Sequence, residues 1–192
     1  PAGFELGRLY SPVMVALDFL VGFEKLGVWI CNALPQEQQV QVEVVAVDTV
    51  SGELLKRWEQ MEAVSADHSR ECLSLDVREF EANRTAIRVR LNGDSETDRW
   101  QFLAEPKEMV FGDFKLVREQ SENQLKLSVK GFVPELVVWD EEDSEAVFDL
   151  KTCASGWRAL TLWNESVTLG IRGTAENLLV LHLNTESPVR LS

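Results

Sequence analysis

The sequence is poor in the residues that usually build metal centres and nucleophilic active sites, with two histidines and three cysteines among 192 residues. Neither His68 nor His182 has a cluster of Cys, His or Asp around it at the spacing of a zinc site, and no nucleophile motif accompanies either one. We therefore predict no metal, no cofactor and no histidine-based catalytic triad. Cys31 and Cys72 lie in strand-like stretches and Cys153 beside a loop, which favours free thiols over a disulfide framework.

Basic residues are also scarce. The chain has 19 lysines and arginines against 32 acidic residues, for a net charge of −13 and an isoelectric point near 4.6. Because a surface with this much negative charge repels phosphate groups, we predict neither nucleic acid nor an anionic membrane as a partner. The longest apolar run, residues 13–23, is broken by Asp18 and Gly22 and is too short for a membrane-spanning helix.

No stretch has the periodicity of a long amphipathic helix, and alternation with a period of two dominates instead. In residues 40–48 it predicts that Val44 lies in a core and that Glu43 is exposed to solvent. The strand-like stretch 27–34 precedes this one across a polar connection of five residues, 35–39. That length predicts an antiparallel hairpin formed by the two stretches.

The same alternation predicts two sets of about seven short strands. In one of them, residues 86–91, it directs Arg88 and Arg90 outward from the core, and Asn92-Gly93-Asp94 after this strand predicts a turn. The predicted strands are 13–17, 27–34, 40–48, 54–59, 70–77, 86–91 and 100–103, and then 114–117, 124–129, 135–139, 147–150, 159–163, 167–171 and 178–183.

Proline at position 106 separates the two sets, which places the predicted domain boundary between residues 105 and 106. Residues 1–9 show no clear periodicity and are interpreted as the remnant of an upstream element. Seven strands in about a hundred residues are typical of an immunoglobulin-like sandwich. The predicted fold is therefore all-β, with two consecutive immunoglobulin-like antiparallel β-sandwich domains, 1–105 and 106–192.

Six tryptophans are many for this length. Trp139, Trp157 and Trp163 lie in or beside strands of the second set and are candidate sugar-facing aromatics, since exposed indoles stack on sugar rings; packing in a core is the alternative for all three. Asp140-Glu141-Glu142-Asp143 lacks the ligand spacing of a calcium loop and is interpreted as a solvated hairpin tip.

Several segments resemble one family. Residues 7–16, followed by Val28-Trp29-Ile30-Cys31-Asn32 and then by residues 48–52, resemble the region just after the catalytic barrel in β-mannosidases of glycoside hydrolase family 2. The related exo-glucosaminidases share this layout. Residues 132–139 and 147–150 resemble parts of the last β-sandwich of that family.

The resemblance implies a non-catalytic role, because the catalytic glutamates of that family lie on a barrel that would end before Pro1, and nothing in this chain matches them. The chain is then a C-terminal accessory region that braces the barrel and helps to shape the sugar site. The implied partner is the catalytic barrel of the same parent chain, and carbohydrate is a second candidate. The alternative is an independent carbohydrate-binding or adhesive pair of β-sandwiches.

Overall fold

The computed structural model describes residues 11–121, 124–140, 157–170, 178–182 and 189–190. Their regular structure is β-strand, apart from two short 3-10 helices at Ala82–Arg84 and Pro106–Glu108, and the predicted all-β class is confirmed. The chain divides into two compact units. The N-terminal unit comprises residues 8–49 and 53–110, and the C-terminal unit comprises residues 1–7, 50–52 and 111–192.

The N-terminal unit is a sandwich of two antiparallel sheets. One sheet has the order β1-β2-β5 and the other has the order β4-β3-β6-β7. The strands are β1 (Val13–Asp18), β2 (Lys25–Asn32), β3 (Gln38–Asp48), β4 (Leu54–Val64), β5 (His68–Asp76), β6 (Thr85–Leu91) and β7 (Asp94–Phe102). All seven predicted strands are present, and β4 is nearly twice as long as predicted.

The predicted hairpin between β2 and β3 is wrong. β2 pairs with β1 and β5, whereas β3 pairs with β4 and β6 in the opposite sheet. Residues 33–37 therefore cross from one sheet to the other. Alternation shows which face of a strand is buried but not which strand lies beside it, and five residues suffice for either connection.

The core of this unit lies between the two sheets. Val44 is 1% exposed, so its predicted burial is confirmed. β3 pairs on both sides and is the central strand of its sheet together with β6. The buried side chains include Val15, Leu26, Val28, Ile30 and Leu75 from one sheet, and Val40, Val42, Val44, Ala46, Val64, Ile87, Val89 and Leu91 from the other.

The turn predicted at Asn92-Gly93 is confirmed. It joins β6 to β7, with Leu91 opposite Asp94. Asn92 has a φ of 52° and Gly93 a φ of 71°. A two-residue turn of type I′ needs positive φ at both positions, which Asn and Gly adopt more easily than other residues. The Asn92 side chain also accepts a 2.9 Å hydrogen bond from the backbone N–H of Gln41.

The C-terminal unit also contains two antiparallel sheets, with the orders β12-β9-β8 and β11-β10-β13-β14. Leu127, Val129, Phe132, Val133 and Leu162 are buried. The described strands are β8 (Lys115–Ser121), β9 (Gln124–Lys130), β10 (Phe132–Asp140), β11 (Trp157–Trp163), β12 (Ser166–Gly170), β13 (Leu178–His182) and β14 (Val189–Arg190). The predicted strand 147–150 lies outside the described residues.

Three glycines in the C-terminal unit allow unusually close backbone approaches. A Cβ atom added at Gly112 would lie 1.9 Å from the carbonyl oxygen of Val50. One added at Gly52, whose φ is +71°, would lie 2.8 Å from the Cα of Gly131. Residues 50–52 are thus held against segments near positions 112 and 131, and only residues without a side chain fit there.

Candidate functional site

The three tryptophans predicted to face sugar lie on two neighbouring strands of the C-terminal unit. Trp139 on β10 and Trp157 on β11 are directly opposite each other in the antiparallel register. Trp163 stands at the other end of β11, opposite Phe132. At the rise of a β-strand, six residues separate Trp157 from Trp163 by about 20 Å. A single sugar ring cannot contact all three, so as a set they would suit only an extended oligosaccharide.

The indole of Trp163 takes part in the contacts that hold residue 52. Its Nε1–H donates to the carbonyl oxygen of Gly52 at 2.8 Å, and the side-chain amide of Asn164 donates to the same oxygen at 2.8 Å. The Asn164 oxygen accepts from the backbone N–H of Gly131, also at 2.8 Å. This gives Trp163 a structural role within the C-terminal unit, and its contact with sugar stays a prediction.

The outer face of the β4-β3-β6-β7 sheet carries a network of charges that the alternation pattern misjudged. Glu43 Oε1 accepts a 2.9 Å hydrogen bond from Arg88, and Glu43 Oε2 accepts one of 2.6 Å from Arg57. The prediction that Glu43 is solvent-exposed is wrong, since its side chain is only 19% exposed. Arg88 is directed outward as predicted, but its side chain is only 6% exposed. Both point away from the core, but both lie on central strands, where long side chains from neighbouring strands cover them.

Trp100 and a second ion pair complete this charged face. The Arg88 guanidinium lies 5.7 Å from the ring centroid of Trp100, within the range of a cation–π contact. Arg90 donates from Nε and Nη2 to the two oxygens of Asp98, at 2.6 and 2.7 Å, and Asp98 is 7% exposed. We call Glu43, Arg57, Arg88, Arg90, Asp98 and Trp100 the charged face.

It is an ion-pair network in which the charges of Glu43, Arg88, Arg90 and Asp98 are largely withdrawn from water and matched to each other, whereas Arg57 at its edge is 51% exposed. Sequence analysis predicted the direction of Arg88 and Arg90 but not their burial. Their burial depends on Glu43 and Trp100 from neighbouring strands, which the sequence pattern alone does not bring together.

The two histidines lie on strands of different units. His68 begins β5, opposite Asn32, and His182 ends β13, opposite Leu136. No group of three or more His, Cys, Asp or Glu side chains in the described ranges could hold a metal ion. Residues 141–143 of the predicted acidic tip lie outside the described residues.

Cys31 and Cys72 are free thiols. Burial, with a smaller contribution from the charge of Glu62, raises the pKa of the Cys72 thiol to about 11. Its Sγ donates to the carbonyl oxygen of Val28 at 3.3 Å. A thiol held protonated in this way is a poor nucleophile at neutral pH, so Cys72 acts as a packing residue. Cys153 lies outside the described residues.

The part of the chain described by the structure contains no helix long and apolar enough to cross a membrane.

Comparison with known proteins identifies the kind of domain. Residues 24–108 match the family model described as a mannosidase Ig/CBM-like domain. No curated protein matches the sequence. The β-D-mannosidase of Dictyoglomus thermophilum is 12% identical with a TM-score of 0.73, and the match covers 96% of this chain and 23% of that one. The exo-chitosanase CsxA of Amycolatopsis orientalis is 10% identical with a TM-score of 0.59, covering 99% of this chain and 28% of that one.

At such low identity these two likenesses show the fold alone, and this chain spans about a quarter of the length of either enzyme. The family model adds sequence evidence, and from Glu24 to Glu108 it covers every strand of the N-terminal unit except β1. The resemblance to the β-sandwich region of β-mannosidases and exo-glucosaminidases is thereby confirmed. Residues 24–108 are thus similar to a mannosidase Ig/CBM-like domain, within a chain whose fold is found in fragments of larger glycosidases.

Proposed function

We propose that this chain is a non-catalytic accessory region of a β-mannosidase-like glycoside hydrolase, and that it braces a catalytic barrel in the same parent polypeptide. One observation carries the proposal. The fold match to the β-mannosidase spans 96% of this chain but only 23% of that enzyme, which leaves most of the enzyme outside the matched region.

The chemistry of the described carboxylates supports a bracing role. Glycoside hydrolysis by the retaining route needs two carboxyl groups about 5–5.5 Å apart, one as acid and one as nucleophile. Glu43 and Asp98 are largely buried, but each is bound by arginine on the charged face. Carboxylates bound by arginine in this way are suited to stabilising a sheet.

The experiment uses the full-length gene product from which this chain comes. We expect the part of the protein before Pro1 to form a barrel. The full-length protein should hydrolyse aryl β-mannosides, and this chain alone should not. Removing this region should lower the temperature of heat inactivation. A gene without a barrel would contradict the proposal, as would turnover by the isolated chain that disappears when one of its own carboxylates is mutated.

A carbohydrate-binding module is the second candidate, favoured by the direct cross-strand register of Trp139 and Trp157. It predicts that the isolated chain binds manno-oligosaccharides in isothermal titration calorimetry. Trp139→Ala and Trp157→Ala should each abolish that binding, and Met61→Ala, at a position 66% exposed on β4, should leave it unchanged. Absence of binding by the unmodified chain would favour the accessory role.

A further inference from the structure

The outer face of the β1-β2-β5 sheet carries a tryptophan on its central strand. Val28 and Ile30 of β2 are fully buried in the core, so Trp29 between them points to the opposite side of the sheet. Trp29 is only partly buried, and its neighbours across the strands are Ala16 on β1 and Glu71 on β5. An aromatic ring therefore lies on an outward sheet face between a small side chain and a carboxylate.

A β-bulge in β5 is what brings Glu71 to this position. Val28 of β2 pairs with Leu73. A regular ladder would then pair Trp29 with Cys72, but the register shifts and Glu71 stands opposite Trp29 instead. Cys72 packs against the core. Bulges redirect side chains and are common next to active sites. Here the bulge puts a carboxylate, in place of a thiol, beside the indole.

Gly27 leaves room for the indole to lie along the strand. A Cβ atom added at Gly27 would lie 3.1 Å from Nε1 of Trp29 and 3.2 Å from Oε1 of Glu71. It would also lie 3.5 Å from the Cβ of Asp18, which is opposite Gly27 on β1. Side chains from three strands therefore meet above this glycine.

The polar groups that meet there are not bonded to one another or to the rest of the described chain. The indole N–H of Trp29 and the carboxylates of Asp18 and Glu71 take part in no hydrogen bond or ion pair among the described residues. Both carboxylates are exposed to solvent. On the charged face, by contrast, the carboxylates are bound by arginine. One donor and two carboxylate acceptors are thus available beside an aromatic ring.

This combination matches the chemistry of a sugar ring. A pyranose has an apolar face of C–H groups that stacks on an indole, and hydroxyl groups around its rim that donate to carboxylates. Two carboxylates without a basic partner repel a ligand that is itself negatively charged. The site therefore favours sugars without carboxylate, phosphate or sulfate groups.

We propose that Trp29, Asp18 and Glu71 form a binding site for one pyranose residue of a carbohydrate that carries no acidic group. The ring stacks on the indole, its hydroxyls donate to the two carboxylates, and one of its oxygens accepts from the indole N–H. The inference goes beyond the accessory role, because it requires no barrel. It also puts the sugar on a different unit from Trp139 and Trp157.

Nitrogen-15 NMR of the 192-residue chain tests the site, with mannohexaose, cellohexaose and oligogalacturonate as probes. We expect at least one of the two neutral hexaoses to shift the indole N–H resonance of Trp29 saturably, and oligogalacturonate to leave it in place. In isothermal titration calorimetry, Trp29→Ala should weaken binding of that hexaose by about tenfold and Glu71→Gln by about threefold. The control Glu59→Gln, at a position 44% exposed on the other sheet, should leave the affinity unchanged.

The inference is overturned if neither neutral hexaose shifts the Trp29 resonance, or if oligogalacturonate shifts it equally. An affinity that Glu71→Gln leaves unchanged would also overturn it, and this exposed substitution decides the question even if Trp29→Ala does not fold. Binding that is lost in Trp139→Ala but kept in Trp29→Ala would assign the sugar to the C-terminal unit instead. Failure of the proposed function is recognised separately, by the absence of a barrel or of glycosidase activity in the full-length protein.

Discussion

Glu43 on β3 and Arg88 on β6 form a 2.9 Å ion pair on the outer face of their sheet, where the Arg88 side chain is only 6% exposed. A guanidinium removed from water to this extent needs a carboxylate close by. Glu43 also accepts a hydrogen bond from Arg57, so it joins three adjacent strands.

Glu43→Ala should therefore lower the free energy of unfolding by about 1–3 kcal/mol, because a charge-assisted hydrogen bond to a buried arginine is lost. Urea unfolding of the two proteins measures the change. Glu59→Ala is the control, since Glu59 also pairs with Arg57 but is 44% exposed, and it should stay within about 0.5 kcal/mol. Equal midpoint shifts for the two variants would contradict the expectation.

Val44→Ala should cost about 1–3 kcal/mol, because Val44 is 1% exposed and the smaller side chain leaves a cavity in the core. Val117→Ala, at a position 54% exposed, should change stability by less than about 0.5 kcal/mol. The midpoints of guanidinium-induced unfolding of the two variants are compared, with the dependence of the unfolding free energy on denaturant concentration unchanged. A neutral Val44→Ala would show that the register of β3 is misassigned.

Gly112→Ala should destabilise the C-terminal unit by about 3 kcal/mol, in the upper part of the overpacking range. The added methyl would meet the Val50 carbonyl group, and backbone cannot move aside as a flexible side chain does. Gly93→Ala, with no atom within 4 Å of its Cβ but a φ of +71°, should cost only about 1 kcal/mol from backbone strain. If Gly93→Ala lowered the thermal unfolding temperature more than Gly112→Ala, the close approach of Gly112 to the Val50 carbonyl group would be ruled out.

The side chain and backbone N–H of Arg78 donate hydrogen bonds to Asp76 and lower the pKa of its carboxyl group to about 2. We expect Arg78→Ala to return that pKa toward its ordinary value of 3.8, measured by carbon-13 NMR titration. Arg70→Ala is the control and should leave it near 2. Because the pKa is lowered by folding, the small stabilisation is complete above about pH 4. This stabilisation should be lost as the pH falls through about 2. If the difference in unfolding free energy between wild type and Arg78→Ala instead grew as the pH was lowered, the assignment would be refuted.

The division of the chain between residues 105 and 106 remains a prediction, and fragments can test it. We expect residues 1–105 alone to unfold cooperatively. Residues 1–110 should be more stable by about 1–2 kcal/mol, because Val110 donates a hydrogen bond to the carbonyl oxygen of Asn83 and accepts one from the hydroxyl of Thr49, and Met109 is buried. A molten fragment 1–105 that becomes ordered only with residues 106–192 would mean a single shared core.

The strands and the inward faces could be predicted because alternation is a local property. Val40, Val42, Val44 and Ala46 are all buried. Asn92 and Gly93 form the predicted turn, because they readily adopt the positive φ angles that it requires. Partner choice is not local. β2, the strand before β3, lies in the opposite sheet. This could not be predicted, because nothing in residues 33–37 determines which sheet they lead to.

The charged face could not be predicted for a similar reason. Burial of Arg88 depends on Trp100 and Glu43, which come from two other strands and reach it only through the sheet order. The family was found from short motifs in the sequence, whereas a sugar-facing role for Trp139, Trp157 and Trp163 depends on side-chain surroundings that strand patterns do not specify.

The placement of β3 beside β6 has a consequence for how the protein is made. β3 can pair with β4 soon after both leave the ribosome, but its other edge stays open until β6 is synthesised. The intervening β5 belongs to the opposite sheet and cannot cover that edge. Such long-range pairing is slow, and an unpaired strand edge rich in valine is prone to aggregation. The nascent chain should therefore depend most on chaperones between the emergence of residue 48 and that of residue 91.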